Sequence, residues 1–325
     1  MSTPVNSSRR QWLSRVGKTS AAGLALSALP VYARSRSAHV IVVGGGFGGA
    51  TAARYLKRGD PSLKVTLIEP APTFSTCPFS NLYLAGLRRF EQQGHGFEDL
   101  RAAGIEVIHD RATAVDSQAK TLSLSKGQTL SYDKLLLSPG IDFRWNTLEG
   151  YDEAAVLAPH AWKAGEQTRL LKRQLDAMPN GGTFIMVAPE NPFRCPPGPY
   201  ERASMVAHYF KQNKPKSKIL ILDAKDSFSK QGLFQDGWKQ VYGDMIEWVP
   251  FSRDGKVTRV DAAKLSVETE FGEIHKADVL NVIPPQKAGA IAEQAGVTNA
   301  SGWVPIDPHT FESEQVKDIY VVGDA

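Results

Sequence analysis

The chain has 325 residues, 42% hydrophobic and 22% charged, with a formal net charge of +4, long enough for about two domains with cores of their own. The excess charge is local: residues 1–36 hold six basic side chains (Arg9, Arg10, Arg15, Lys18, Arg34, Arg36) and no acidic one, leaving 32 basic against 34 acidic residues in the body. A slightly acidic body without basic and aromatic residues interleaved argues against a nucleic-acid-binding protein, and the one lysine-rich stretch, from Lys211 to Lys218, is expected to be a solvated turn.

At the N-terminus, Ser8-Arg9-Arg10-Gln11-Trp12-Leu13 precedes a weakly apolar run from Ala21 to Pro30 and the small-residue ending Val31-Tyr32-Ala33. This pattern predicts a twin-arginine export signal over residues 1–33, cleaved after Ala33, and a periplasmic protein exported already folded; an arginine-rich disordered tail is the alternative. The apolar run, about ten residues diluted with Gly and Ser, falls short of the roughly 20 that cross a bilayer, so no permanent membrane span is expected.

Val40-Ile-Val-Val43 reads as a buried strand running into Gly44-x-Gly46-x-x-Gly49, followed by a helix over 50–57, a breaker at Gly59-Asp60-Pro61 and a second apolar strand, Lys64 to Ile68, closed by Glu69. Strand, glycine turn, helix and acid-ended strand in that order predict a dinucleotide site. The glycines allow close backbone approach, the helix N-terminus faces a pyrophosphate and Glu69 accepts from a ribose hydroxyl. The run Leu135-Leu-Leu-Ser138-Pro139-Gly140 predicts a further strand with a glycine turn.

The middle of the chain repeats the plan. Thr183 to Ala188 reads as a strand, Tyr200 to Asn213 as a helix and Lys218-Ile-Leu-Ile-Leu-Asp223 as another acid-ended strand. Its turn, however, is Pro189-Glu-Asn-Pro-Phe-Arg194-Cys195-Pro-Pro-Gly-Pro-Tyr-Glu201, with no glycine fingerprint and several prolines that remove N–H donors. A nicotinamide dinucleotide would lose its cradle there. Near the end, Val316 to Val322 predicts a strand delivering Gly323 and Asp324 to a ribityl or pyrophosphate group.

The expected fold class is therefore α/β, with two Rossmann-like doubly wound domains of the dinucleotide-binding (FAD/NAD(P)) type. The first domain spans 38–150 plus 285–325 and the second 151–284. Because Gly323-Asp324 is expected to open a helix, the chain reads as C-terminally truncated, its last domain missing.

Two segments, Ser75-Thr-Cys77-Pro-Phe-Ser-Asn-Leu-Tyr-Leu-Ala-Gly86 and Asn191-Pro-Phe-Arg-Cys195-Pro-Pro-Gly-Pro-Tyr-Glu-Arg202, carry a resemblance along with the motifs above. The chain resembles the flavoprotein subunits of flavocytochrome c sulfide dehydrogenase, within the wider group that includes sulfide:quinone reductases. The resemblance implies FAD held by Gly44, Gly46, Gly49, Glu69, Gly140, Gly323 and Asp324, and Cys77 joined to the flavin by a thioether. Haem is implied only on a partner, a c-type cytochrome subunit; the chain itself has no Cys-x-x-Cys-His.

The same resemblance makes Cys195 one half of a redox-active disulfide. Hydrosulfide attacks it, leaving a persulfide and a thiolate whose electron pair passes to the flavin; the resolving cysteine is expected beyond Ala325. Two cysteines exclude a disulfide-stapled scaffold. A bond between Cys77 and Cys195 is the rival arrangement, and a buried free thiol is the bland one for Cys77. Glu201 is a candidate proton carrier, though a glutamate in a first helical turn is also favoured by the helix dipole alone. Arg194 and Arg202 could draw an anion inward but are expected mainly at the solvated surface. The seven histidines show no metal-ligand spacing, and no metal site is expected.

The expected activity is oxidation of sulfide to sulfur or polysulfide with cytochrome c as acceptor. Alternatives are a sulfide:quinone reductase, an NAD(P)H-dependent flavin reductase, or a non-catalytic flavin-binding accessory protein of sulfur oxidation.

Overall fold

The computed structural model describes residues 37–145, 147–152 and 157–325; the expected export signal lies outside the described residues. Strand β1 (His39–Val43) is buried at every position. Helix α1 (Phe47–Gly59) follows it, three residues earlier than the sequence predicted because Phe47, Gly48 and Gly49 already form its first turn. Strands β2 (Lys64–Ile68), β3 (Glu106–Ile108) and β4 (Lys134–Leu137) complete the first part of the frame.

The second part runs through α2 (Glu166–Ala177), β5 (Thr183–Ala188), α3 (Gly198–Asn213), β6 (Lys218–Asp223), α4 (Gln231–Tyr242), β7 (Ile246–Val249) and β8 (Val279–Val282). Strand β9 (Ile319–Val321) comes near the end of the sequence. The first sheet has the order β9-β4-β1-β2-β3 and the second β7-β6-β5-β8, and every pairing in both is parallel. Parallel strands are covered by helices or further chain on both faces, which is why they read as unbroken apolar runs.

Alternation along β1 divides the first core. Val42 faces Ala53 of α1 together with Val65, Leu67, Phe97 and Leu100. Ile41 and Val43 face the other way, onto Leu135, Leu137, Ile291 and Ala292. Each fully buried Val, Leu or Ile contributes about 1.5–3 kcal/mol of transfer free energy, so the ends of β1, β4 and β9 are firmly placed. Val43 pairs with both Ile68 and Leu137, and Leu137 with Val321. The turns after these strands therefore emerge side by side at one edge.

Two lysine and arginine expectations are corrected here. Lys214 is buried and donates to the carbonyls of Leu175 and Asp176, both at 2.7 Å, and of Met178. It closes the C-terminal end of α2 and is no part of a solvated turn. Arg202 is only 1% exposed, because it lies on the same face of α3 as Ala203, Val206, Ala207 and Phe210.

Candidate active site

A cavity of about 630 Å³ opens where the strand ends of the first sheet meet the loop before α3, within the size range of ordinary cofactor sites. Its lining includes Gly44, Gly46, Glu69, Cys77, Gly140, Cys195, Glu201, Gly323 and Asp324. The structure thus brings together every residue the sequence singled out except Gly49, which lies beneath the turn. A Cβ on Gly49 would stand 1.9 Å from the Gly44 carbonyl oxygen, so glycine there lets helix and turn touch.

The cavity floor fits a dinucleotide by its donors. Among the described residues, the N–H groups of Phe47, Gly48 and Gly49 have no acceptor; the first such bond of the helix is Ala50 N–H to Gly46 O at 2.9 Å. Unpaired N–H groups at a helix start, under the positive end of its dipole, are what a pyrophosphate binds. The Glu69 carboxylate accepts from Gly45 N–H at 2.8 Å and Ala71 N–H at 2.9 Å. A carboxylate offers about four lone-pair directions, so two remain for ribose hydroxyls. The residues present therefore fit the ADP portion of FAD.

The corresponding turn of the second sheet is closed. Pro197 and Pro199 have no N–H, Gly198 donates to Cys195 O at 2.8 Å, and Tyr200 and Glu201 donate to Pro197 O at 3.1 and 3.0 Å. Asp223, at the end of β6, is fully buried. Its carboxylate accepts from Tyr200 Oη at 2.5 Å, Lys225 Nζ at 2.6 Å and Trp248 Nε1 at 2.9 Å, and the Tyr200 ring stacks on Phe228 with centroids 3.6 Å apart. This acid has no free face for a ribose.

Cys195 sits in that loop with φ +60°. A non-glycine residue in the left-handed region costs about 1–2 kcal/mol, and such outliers concentrate at functional sites. The conformation turns the thiol into the cavity, where it is exposed. Surrounding walls still strip water from the sulfur, and this desolvation raises its pKa, with the Glu201 carboxylate and Cys77 adding to the effect; Gly198 N–H and Arg194 oppose it. Glu201 stands in the first turn of α3.

Cys77 follows a short two-stranded ladder and precedes the helical turn Ser80–Leu84. Its Sγ lies 3.3 Å from Trp162 O and 3.7 Å from Arg194 Nη2. Both cysteines are free thiols, so the structure does not contain the rival Cys77–Cys195 bond. Arg194 is half-buried and not a surface group: it donates to Trp162 O, its own N–H donates to Gln286 Oε1 at 2.9 Å, and its Nε stands 3.9 Å from Asp324 Oδ2.

Sequence reasoning missed Trp162, a 3% exposed ring in an irregular stretch with no periodic signal. It is held by His160, whose Nδ1 accepts the Trp162 N–H at 2.9 Å. Burial, then Lys163, Arg202 and Arg194, push the His160 pKa down to about 3, so its imidazole is neutral and Nδ1 remains an acceptor. Arg202 lies over the Trp162 ring at 4.9 Å, and burial drives its pKa down only to about 10, leaving it charged at neutral pH.

Comparison with known proteins agrees with this geometry. A family model described as the central part of the flavoprotein chain of sulfide dehydrogenase [flavocytochrome c] matches residues 168–284, and one for pyridine nucleotide-disulphide oxidoreductases matches residues 38–183. The mitochondrial sulfide:quinone oxidoreductase of Mus musculus is 22% identical over 295 residues, 88% of this chain and 65% of that protein; the chain thus spans just under two thirds of that relative. A flavoprotein chain of sulfide dehydrogenase [flavocytochrome c] from Chlorobaculum thiosulfatiphilum is 67% identical over 42 residues, 13% of this chain and 88% of that sequence. The crystal structure of the sulfide:quinone oxidoreductase from Aquifex aeolicus superposes with a TM-score of 0.71 at 23% identity, over 89% of this chain and 68% of that one, and shares the fold. Two family models thus match overlapping stretches that together run from residue 38 to residue 284, and sulfide:quinone oxidoreductases align along most of the chain, which is in this sense similar to the sulfide:quinone oxidoreductase-like flavoproteins.

Proposed function

We propose that the protein is the flavoprotein subunit of a flavocytochrome c type sulfide dehydrogenase, oxidising sulfide at Cys195 and passing electrons through FAD to a c-type cytochrome. The observation that carries the reading is the thiol of Cys195, held at φ +60° and turned into the cavity that also holds Cys77 and the free N–H groups of α1. Phe47 and Gly48 would hold the pyrophosphate, Glu69 the ribose, and Cys77 the flavin through a thioether. FAD, when bound, supplies a two-electron acceptor.

The chain's own residues account for the sulfur half of the reaction. Hydrosulfide and the Cys195 sulfur form an S–S bond; starting from the thiol, the product is the Cys195 persulfide, with one proton and two electrons released. Glu201, which lines the same cavity, takes the proton. Export by the twin-arginine route to the periplasm completes the proposal. The short, close match to the flavoprotein chain from Chlorobaculum thiosulfatiphilum supports the cytochrome-linked form. Longer matches at lower identity to sulfide:quinone oxidoreductases support a second reading, in which a quinone is the acceptor.

Anaerobic titration of the full-length protein tests the function. Sulfide bleaches the flavin absorbance and NADH does not; rapid bleaching by NADH with none by sulfide overturns the proposal. Reoxidation by cytochrome c rather than by a soluble quinone separates the two readings. After denaturation, flavin retained on the peptide containing Cys77 is the expected mark of the thioether.

A further inference from the structure

Arg202 is a cation without a counter-ion. Its guanidinium donates to Asn81 Oδ1 at 3.3 Å, Asn281 Oδ1 at 2.9 Å, His160 O at 3.1 Å and Ala161 O at 2.6 Å. Every acceptor is neutral, and among the described residues no carboxylate lies within ion-pair distance of it. A guanidinium has five N–H groups, and among the described residues one on Nη2 is left without an acceptor. Burying a charge in this way is costly unless an opposite charge joins it.

The other charged groups lining the cavity are differently engaged. Lys163 pairs with Asp142 at 2.9 Å, Arg194 stands beside Asp324, Glu69 receives two backbone N–H groups, and Glu201 is exposed to solvent. Next to Arg202, the indole Nε1 of Trp162 is buried without a partner among the described residues. Trp162 and the Cys195 sulfur press so closely on Gly198 that a Cβ there would stand 2.7 Å from Trp162 Cη2 and 3.0 Å from Cys195 Sγ. Trp162, Arg202 and Cys195 all line the one cavity.

We propose that Arg202 and the Trp162 indole N–H form an anion subsite beside Cys195 that takes one small sulfur monoanion, the hydrosulfide substrate or the persulfide it leaves. The proposal rests on the function argued above, for which it supplies the binding place of the sulfide. Arg202 is a positioning residue in this account: its charge acts through a low-dielectric wall, where screening by water and salt is weak, and it favours an anion at the sulfur over a neutral molecule.

The test compares alkylation of Cys195 by anionic iodoacetate and neutral iodoacetamide, read by peptide mass on the full-length holoprotein after reduction of its thiols. Relative to the same two reagents with free glutathione, Cys195 is expected to favour iodoacetate. Arg202→Gln loses about tenfold of that preference, the scale of one partly screened charge acting across a cavity, while Arg202→Lys retains most of it. Thiocyanate, a small unreactive monoanion, is expected to protect wild-type Cys195 from iodoacetamide. A wild-type preference no greater than that of glutathione, or no protection by thiocyanate, overturns the proposal even if the Gln variant fails to fold. So does an unchanged preference in a Gln variant that unfolds like wild type. None of these readouts needs turnover, so a protein that fails to oxidise sulfide yet shows the preference refutes the function and leaves the anion subsite standing.

Discussion

Replacing Gly44 with alanine tests whether the turn after β1 is built on close backbone approach. Gly44 has φ +100°, and a Cβ there would stand 2.1 Å from the Ser138 carbonyl oxygen and 2.8 Å from its carbon. The positive φ alone costs an L-residue about 1–2 kcal/mol. Relieving the overlap requires separating two backbone segments by roughly an ångström to reach ordinary contact. Both are pinned, Gly44 N–H on Ile68 O at 2.9 Å and Ser138 N–H on Val43 O at 2.8 Å, and overpacking of this kind costs about 1–3 kcal/mol more. Gly127 is an internal control, with φ +89° and nothing within 4 Å of its Cβ position. Gly44→Ala should therefore lose about 2–5 kcal/mol and Gly127→Ala only about 1–2. Thermal and denaturant unfolding measure both, and the flavin-to-protein ratio of the purified protein should fall in Gly44→Ala alone, because the cradle has to seat FAD before Cys77 can be joined to it. If the two variants unfold at the same midpoint and hold flavin equally, the tight turn is not what shapes the cradle.

Lys214→Met leaves three carbonyls at the end of α2 without their donor, and at about 1–3 kcal/mol for each unsatisfied buried group, partly recovered by water, a loss of roughly 2–4 kcal/mol is expected on chemical denaturation; a change under 1 kcal/mol refutes the capping role. Glu201→Gln removes a carboxylate that raises the Cys195 pKa, so the thiolate fraction at a given pH rises and the alkylation profile of Cys195 moves to lower pH. An unchanged profile would remove Glu201 from the electrostatics of the sulfur.

The sheets were legible because burial on both faces leaves β1, β4, β5 and β6 as short apolar runs bounded by Gly, Pro and acids. Glu69 and the glycines could be read because their spacing is itself the geometry of the turn. Arg202 was misjudged although a signal existed: residues 199, 202, 203, 206, 207 and 210 follow the 3–4 spacing of a helix face, and a lone cation in that stripe marks a buried charge. Lys214 had no such signal, since the carbonyls it caps lie 36 to 39 residues earlier in the chain. Trp162 was beyond reach for a related reason. Its place depends on His160, Arg194 and Arg202, and no local pattern links them.

The two halves share one frame and differ in the turn that leaves the first strand. An aspartate at the end of a second strand ordinarily suggests a ribose ligand, as Glu69 does in the first half. To free Asp223 for that role, the Tyr200 ring would have to leave its stack on Phe228. A Tyr side chain buries about 150–250 Å², which at about 25 cal/mol per Å² is roughly 4–6 kcal/mol, before the loss of a hydrogen bond to a buried carboxylate. A nicotinamide dinucleotide entering there would meet that cost and would find no free N–H at the helix start, Pro197 and Pro199 having none and Gly198, Tyr200 and Glu201 being already bonded. The same prolines and the same Tyr200 anchor α3 against the second sheet, and so fix the loop that turns Cys195 toward the first. The features that close one nucleotide position are the ones that hold the sulfur at the other.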